Sequence, residues 1–152
     1  MQKRILYLLI ASLAFTFCKY PRYNISKTTS KAQEVQKIEM NLSAFGVESD
    51  NFPSIEGFID FEHDSNSCTT SYYNPAIKGR VYSLSNQETK KVLELLQNCD
   101  LDKLKAVYKA ESTDQPTSTI TIYKSNRVFI VKDYGLIGDF PLQDIYKLVY
   151  KF

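Results

Sequence analysis

The sequence is poor in the residues that metal and redox chemistry need. Its 152 residues include 3 Cys and 1 His. Structural zinc takes about four nitrogen or sulfur ligands, so that stock is too small for a cage. No C-x-x-C pair occurs either. Gly and Pro number 5 each, which excludes a collagen-like chain. Neither sign of charge dominates: 19 Lys plus Arg stand against 17 Asp plus Glu, with no long basic run. A dedicated nucleic-acid binder is therefore not expected. The glycine motifs that cradle phosphates are missing, as is the G-x-S-x-G turn of serine hydrolases. The lone His63 has no evident nucleophile to serve. No uncharged run reaches the ~20 residues that a membrane-crossing helix needs.

What is present is an ordinary globular composition, 43% hydrophobic and 24% charged, at a length that suits one domain. Aromatic residues make up 13%, too many for a wholly disordered chain. Tyr alone counts 11, and Tyr is a rigid, amphipathic residue enriched in binding surfaces. Tyr72 and Tyr73 fall in a polar stretch where a core role is not obvious, whereas Tyr146 and Tyr150 suit the packing of a final helix.

The first residues read as an export signal. Lys3 and Arg4 precede Ile5 to Phe17, which is 13 residues without a charge. A positive start followed by a short apolar stretch is the pattern of a secretory signal. Residues 1–17 are assigned to it, and 18–36, polar and rich in Ser, Thr and Lys, to a tether. Cys18, directly after the apolar stretch, resembles the lipidation point of bacterial lipoproteins, which implies a membrane anchor. That pattern favours Leu at the third position before the Cys and a small residue immediately before it; Phe15 and Phe17 stand there. The rival cut follows Ala14 and would release a soluble secreted protein. Removing residues 1–17 takes Lys3 and Arg4 with it and leaves 17 basic against 17 acidic side chains. The small positive balance is therefore a targeting feature. With Cys18 spent on an anchor, Cys68 and Cys99 remain. An even pair in an exported chain points to a disulfide, with two free thiols as the alternative.

Residues 37–152 read as a single α+β domain. Ile38, Met40 and Leu42 alternate with polar residues, the period of a half-buried strand. Ile55 to Phe61 is a second strand. His63 to Gly79 is a long polar excursion, and Arg80 to Leu84 a short third strand. Ser85-Asn86-Gln87-Glu88 is a capping box, and Val92, Leu95, Leu96 and Cys99 mark the buried face of the helix it opens. Thr89, Lys90, Glu94 and Gln97 are placed toward water. Ser118 to Tyr123 and Val128 to Val131 pair across a tight turn at Ser125-Asn126. Asp139 caps a final helix with Pro141 in its first turn, and Leu142, Ile145, Tyr146, Val149 and Phe152 form its apolar stripe. The expected architecture is an antiparallel sheet of four to five strands with two helices packed on one face.

The run Leu101-Asp102-Lys103-Leu104, Tyr108, Thr113-Asp114-Gln115-Pro116-Thr117, Lys132-Asp133-Tyr134-Gly135 and Leu142 resembles a bacterial family, domain of unknown function 6438. The resemblance is carried mainly by the second half of the chain. It implies a small exported or lipid-anchored protein and brings no chemistry with it. In that family a Cys-Pro step often joins the first two strands; here Phe52 precedes Pro53.

Two clusters carry candidate chemistry. Asp60, Glu62, His63 and Asp64 hold three carboxylates and the one imidazole. On a strand the carboxylates would share one face, able to grip a hard cation, with His63 opposite. The plainer reading is a charged strand end entering a loop. Asp114 and Asp133, with Tyr108 and Tyr134 nearby, could line a ligand pocket at the sheet end, or serve turns. No cofactor and no resident metal are expected. The leading functional reading is a non-enzymatic domain, anchored in the bacterial envelope through Cys18 and exposed to the periplasm or the surface. It binds a protein or other envelope component there. The alternative is a small metal-dependent hydrolase using Asp60, Glu62, His63 and Asp64.

Overall fold

Alternation sets the central strand. In β1 (Val35–Ser43), Ile38, Met40 and Leu42 are buried while Lys37, Glu39 and Asn41 point the other way. Successive strand side chains face opposite sides, so β1 is apolar on one side and polar on the other. The computed structural model describes residues 34–47 and 49–151. Cys18 and the expected signal therefore lie outside the described residues, as does Phe152. β1 opens at Val35, inside the stretch expected as tether.

The remaining elements are β2 (Ser54–Asp60), β3 (Ser65–Ser71), β4 (Val81–Tyr82), α1 (Asn86–Gln97), β5 (Val107–Lys109), β6 (Thr117–Lys124), β7 (Arg127–Tyr134) and α2 (Leu142–Tyr150). A 3₁₀ turn, Leu101–Lys103, follows α1. The strands form one sheet in the order β4-β3-β2-β1-β6-β7-β5. Neighbours are antiparallel except β5, which lies parallel to β7.

The α+β class holds, but the sheet has seven strands and is mixed, where four to five antiparallel strands were expected. Two strands, β3 and β5, account for the difference, since β4 falls inside the expected short strand Arg80 to Leu84. β3 lies inside the polar excursion: SNSCTTS carries no aliphatic residue, yet Cys68 and Thr70 still alternate inward. β5 is three residues long, too short to show a period.

Both helices cover one face. Val92, Leu95 and Leu96 of α1 join Leu142, Ile145, Tyr146, Val149 and Tyr150 of α2 in one core with Ile38, Ile59, Ile120, Ile122 and Val131. The capping box at Ser85 is present: Glu88 N–H donates to the Ser85 hydroxyl, and Ser85 N–H to the Glu88 carboxylate at 2.7 Å. Thr89, expected in water, is buried, where its hydroxyl accepts from the Asn66 amide at 3.4 Å. Cys99 lies past the end of α1 and not on its buried face. Asp139 does not cap α2; Pro141 holds that position with no side-chain bond, after a cis Phe140–Pro141 peptide.

Gly57 sets how close α2 comes to the sheet. A Cβ there would sit 2.9 Å from Cys68 Sγ and 3.7 Å from Val149 Cγ1. The missing side chain lets α2 settle onto β2 and β3.

Candidate functional site

The acidic cluster is divided between different partners. Asp60 ends β2, and its Oδ1 accepts the N–H groups of Glu62 and His63, both at 3.0 Å. Its Oδ2 meets His63 Nδ1 at 2.9 Å. Asp60 and His63 are therefore brought together, against the opposite-face expectation, because residues 61–64 form a turn and not a strand. Glu62 accepts from the Gln36 amide at 2.6 Å, and Asp64 adopts φ 49 in the turn. Among the described residues no three His, Cys, Asp or Glu are grouped to hold a metal ion.

The second set is split by the pleat. Asp133 and Tyr134 are adjacent on β7 and so face opposite sides. Asp133 is fully buried and accepts from Ile137 N–H at 3.0 Å, Gly138 N–H at 2.8 Å and the Tyr146 hydroxyl at 2.9 Å. Burial beside Asp133 pushes the Tyr146 phenol far up, so that it stays a donor. The Tyr134 hydroxyl accepts from Gln115 N–H at 3.2 Å. The Tyr108 hydroxyl accepts from Lys105 N–H at 3.1 Å and donates to Asp139 at 3.2 Å. Asp114 is exposed, at φ 59, with the Thr113 hydroxyl donating to it at 2.9 Å. Tyr108 pairs with Asp133 across β5 and β7, while Tyr134 turns to the opposite side and Asp114 is exposed, so the four do not converge. Asp133 works as a buried tie between β7, the loop after it and α2.

Cys68 and Cys99 are free thiols, not a disulfide. Cys68 is fully buried against Gly57, and burial pushes its thiol up, opposed by the Tyr82 hydroxyl. Cys99 turns toward the Phe140 carbonyl, with its sulfur 3.9 Å away. The two sulfurs serve different surroundings.

The feature that sequence reading missed is the face of the sheet that carries no helix. Its residues run in rows across the strands. One row is Val81, Thr69, Glu56, Asn41, Thr119, Lys132 and Val107. The next is Ser67, Phe58, Glu39, Thr121 and Ile130, and below it lie Ser65, Asp60, Lys37, Tyr123 and Val128. Among the described residues, five of the nine exposed large apolar ones stand here: Phe58, Val81, Val107, Val128 and Ile130. At its centre the Tyr123 hydroxyl donates to Glu39 at 2.6 Å and Lys37 Nζ lies 2.8 Å from the same carboxylate. Those bonds, Lys37 first, hold the Glu39 carboxyl below the ordinary range. Lys37 also stands 4.4 Å from the Tyr123 ring centre. A shallow, open concavity of about 420 Å³ lies over Glu39, Glu56, Phe58 and Thr121. Small-molecule sites enclose some 70–90% of a ligand, which a face this open does not.

A signal for this face was present. Val128-Phe129-Ile130-Val131 is apolar at every position, as in strands covered on both sides. Phe129 and Val131 pack into the core; Val128 and Ile130 are left outside it.

A family model described as a domain of unknown function (DUF6438) matches residues 62–152. Neither a curated protein nor a solved structure matches the chain.

Proposed function

The chain belongs to the family described as domain of unknown function (DUF6438), and from that premise we propose an exported, lipid-anchored envelope protein that binds another protein through the uncovered face of its sheet. Export and anchoring are supported by the charged start, the 13 uncharged residues Ile5 to Phe17 and the position of Cys18. Binding is carried by one observation: β7 is apolar on both faces, and only one is covered. Ile130, 60% exposed, and Val128, 49% exposed, are neighbours on the open side of β7, and Phe58 stands three strands away in the Ile130 row. Clustered exposed apolar residues on a folded domain mark interaction surfaces, whereas scattered ones do not.

The test has two parts. Mass spectrometry of the mature N-terminus should find an acylated Cys18; a free Phe15 would sink the anchor. A photo-crosslinking residue at Thr121, in the middle of the open face, should give a discrete protein adduct in the envelope. The same residue at Lys90, on the solvent side of α1, should not. Equal labelling from both positions, or none from Thr121, overturns the docking face.

A further inference from the structure

We propose that the partner at this face is a second copy of the chain, docked sheet to sheet about a two-fold axis running along the strands between β1 and β6. The inference rests on the docking reading above and names its partner. An axis there exchanges β1 with β6, β2 with β7 and β3 with β5. The row register then decides what meets what. Glu56 and Lys132 occupy one row, two strands apart on either side of the axis, so Glu56 of one copy lies over Lys132 of the other. Phe58 and Ile130 are related in the same way in the next row, and meet. Thr69 faces Val107, and Lys37 faces Tyr123. Glu39 falls over Thr121, so no like charges are opposed in these rows. Two-fold symmetry makes each contact twice.

The face is thus complementary to itself. Glu56 and Lys132 are both exposed, and neither makes an ion pair among the described residues. Packed sheets keep their strands within about 30° of each other, which lets the three rows interleave. Six strands about 4.8 Å apart and three outward rows about 6.7 Å apart frame roughly 600 Å² per copy. Closing two such faces removes about 1,200 Å² in total, the lower end of specific interfaces. A reversible dimer is the expected result.

The test uses the full chain in a non-ionic detergent, with protein mass followed by light scattering over a concentration series. A two-copy species is expected. Glu56→Lys alone and Lys132→Glu alone should each weaken it by about tenfold, since each opposes like charges twice. The double variant Glu56→Lys/Lys132→Glu should restore most of that loss. Phe58→Ser, at a partly exposed position, should dissociate the pair while leaving the melting temperature near that of the parent. A single-copy mass throughout, a pair that ignores both reversals, or a double variant no tighter than the single ones overturns the inference. A single-copy chain that still labels another protein from Thr121 overturns it too, but leaves the docking face standing. A single-copy chain with no adduct overturns both.

Discussion

At the scale of single residues, Asp60 and His63 act on each other. The Asp60 carboxylate beside the ring raises His63 above its ordinary 6.5, and His63, with its own N–H, lowers Asp60 below its ordinary 3.8. The raised His contributes stability below pH 6.5 that is lost as pH rises through its folded value. The lowered Asp contributes stability above pH 3.8 that is lost as pH falls through its folded value. The pair therefore supports the β2 turn most between those two pH values. Titration of the His63 ring by NMR should give a midpoint above 6.5, falling back toward 6.5 in Asp60→Asn. An unchanged midpoint in that variant would show the contact to be unimportant in solution. Asp133 tells a different story at the same scale. Its place beside Gly135 reads as turn chemistry, yet it accepts from two N–H groups and a phenol inside the core. Its partners Ile137, Gly138 and Tyr146 come from a loop and a helix, which local sequence does not bring together.

At the scale of elements, close approach matters most where α2 crosses the sheet. Gly57→Ala puts a methyl 2.9 Å from Cys68 Sγ, below any normal contact. It should cost about 1–2 kcal/mol in urea unfolding. Adding Cys68→Ala frees the space, so the double variant should cost less than the two single losses together. Simple additivity would show that α2 shifts to make room. The elements also differ in how plainly the sequence announces them. α1 was legible because the Ser85–Glu88 box and the Val92, Leu95, Leu96 spacing are local signals. The β6–β7 hairpin was legible for the same reason, from Ile120 and Ile122 and the two-residue turn between Lys124 and Arg127. β3 was not, because Ser and Thr fill its outward positions and, of its inward Asn66, Cys68 and Thr70, only Cys68 is apolar. It is a strand through its full-length ladder to β2. The uncovered face was half-legible: β7 showed two apolar sides, but which side lacked a helix depended on the packing of α1 and α2.

At the scale of the molecule, the family match and the folded unit have different limits. The matched residues 62–152 begin after β2, while β1 and β2 join β3 to β6 in the sheet. Without them, Val35, Ile38, Met40, Leu42, Ile55 and Ile59 leave the core. Six buried side chains at about 1.5–3 kcal/mol each rival the ~5–15 kcal/mol that holds a whole domain. Residues 62–152 alone should therefore show poor NMR dispersion, and a peptide of residues 34–61 should restore it. A well-dispersed spectrum from 62–152 alone would show that the sheet closes without its middle.

The position of β1 also decides how the molecule carries load. The first strand among the described residues is the middle strand of the sheet, paired on both sides along its length. A pull at Glu34 runs along β1, so both antiparallel ladders are strained in shear, many bonds at once. A strand peeled from the edge would yield one bond after another. Tension entering from the N-terminal side thus meets the mechanically strongest seam first, while the short β4 and β5 at the rims carry none of it directly.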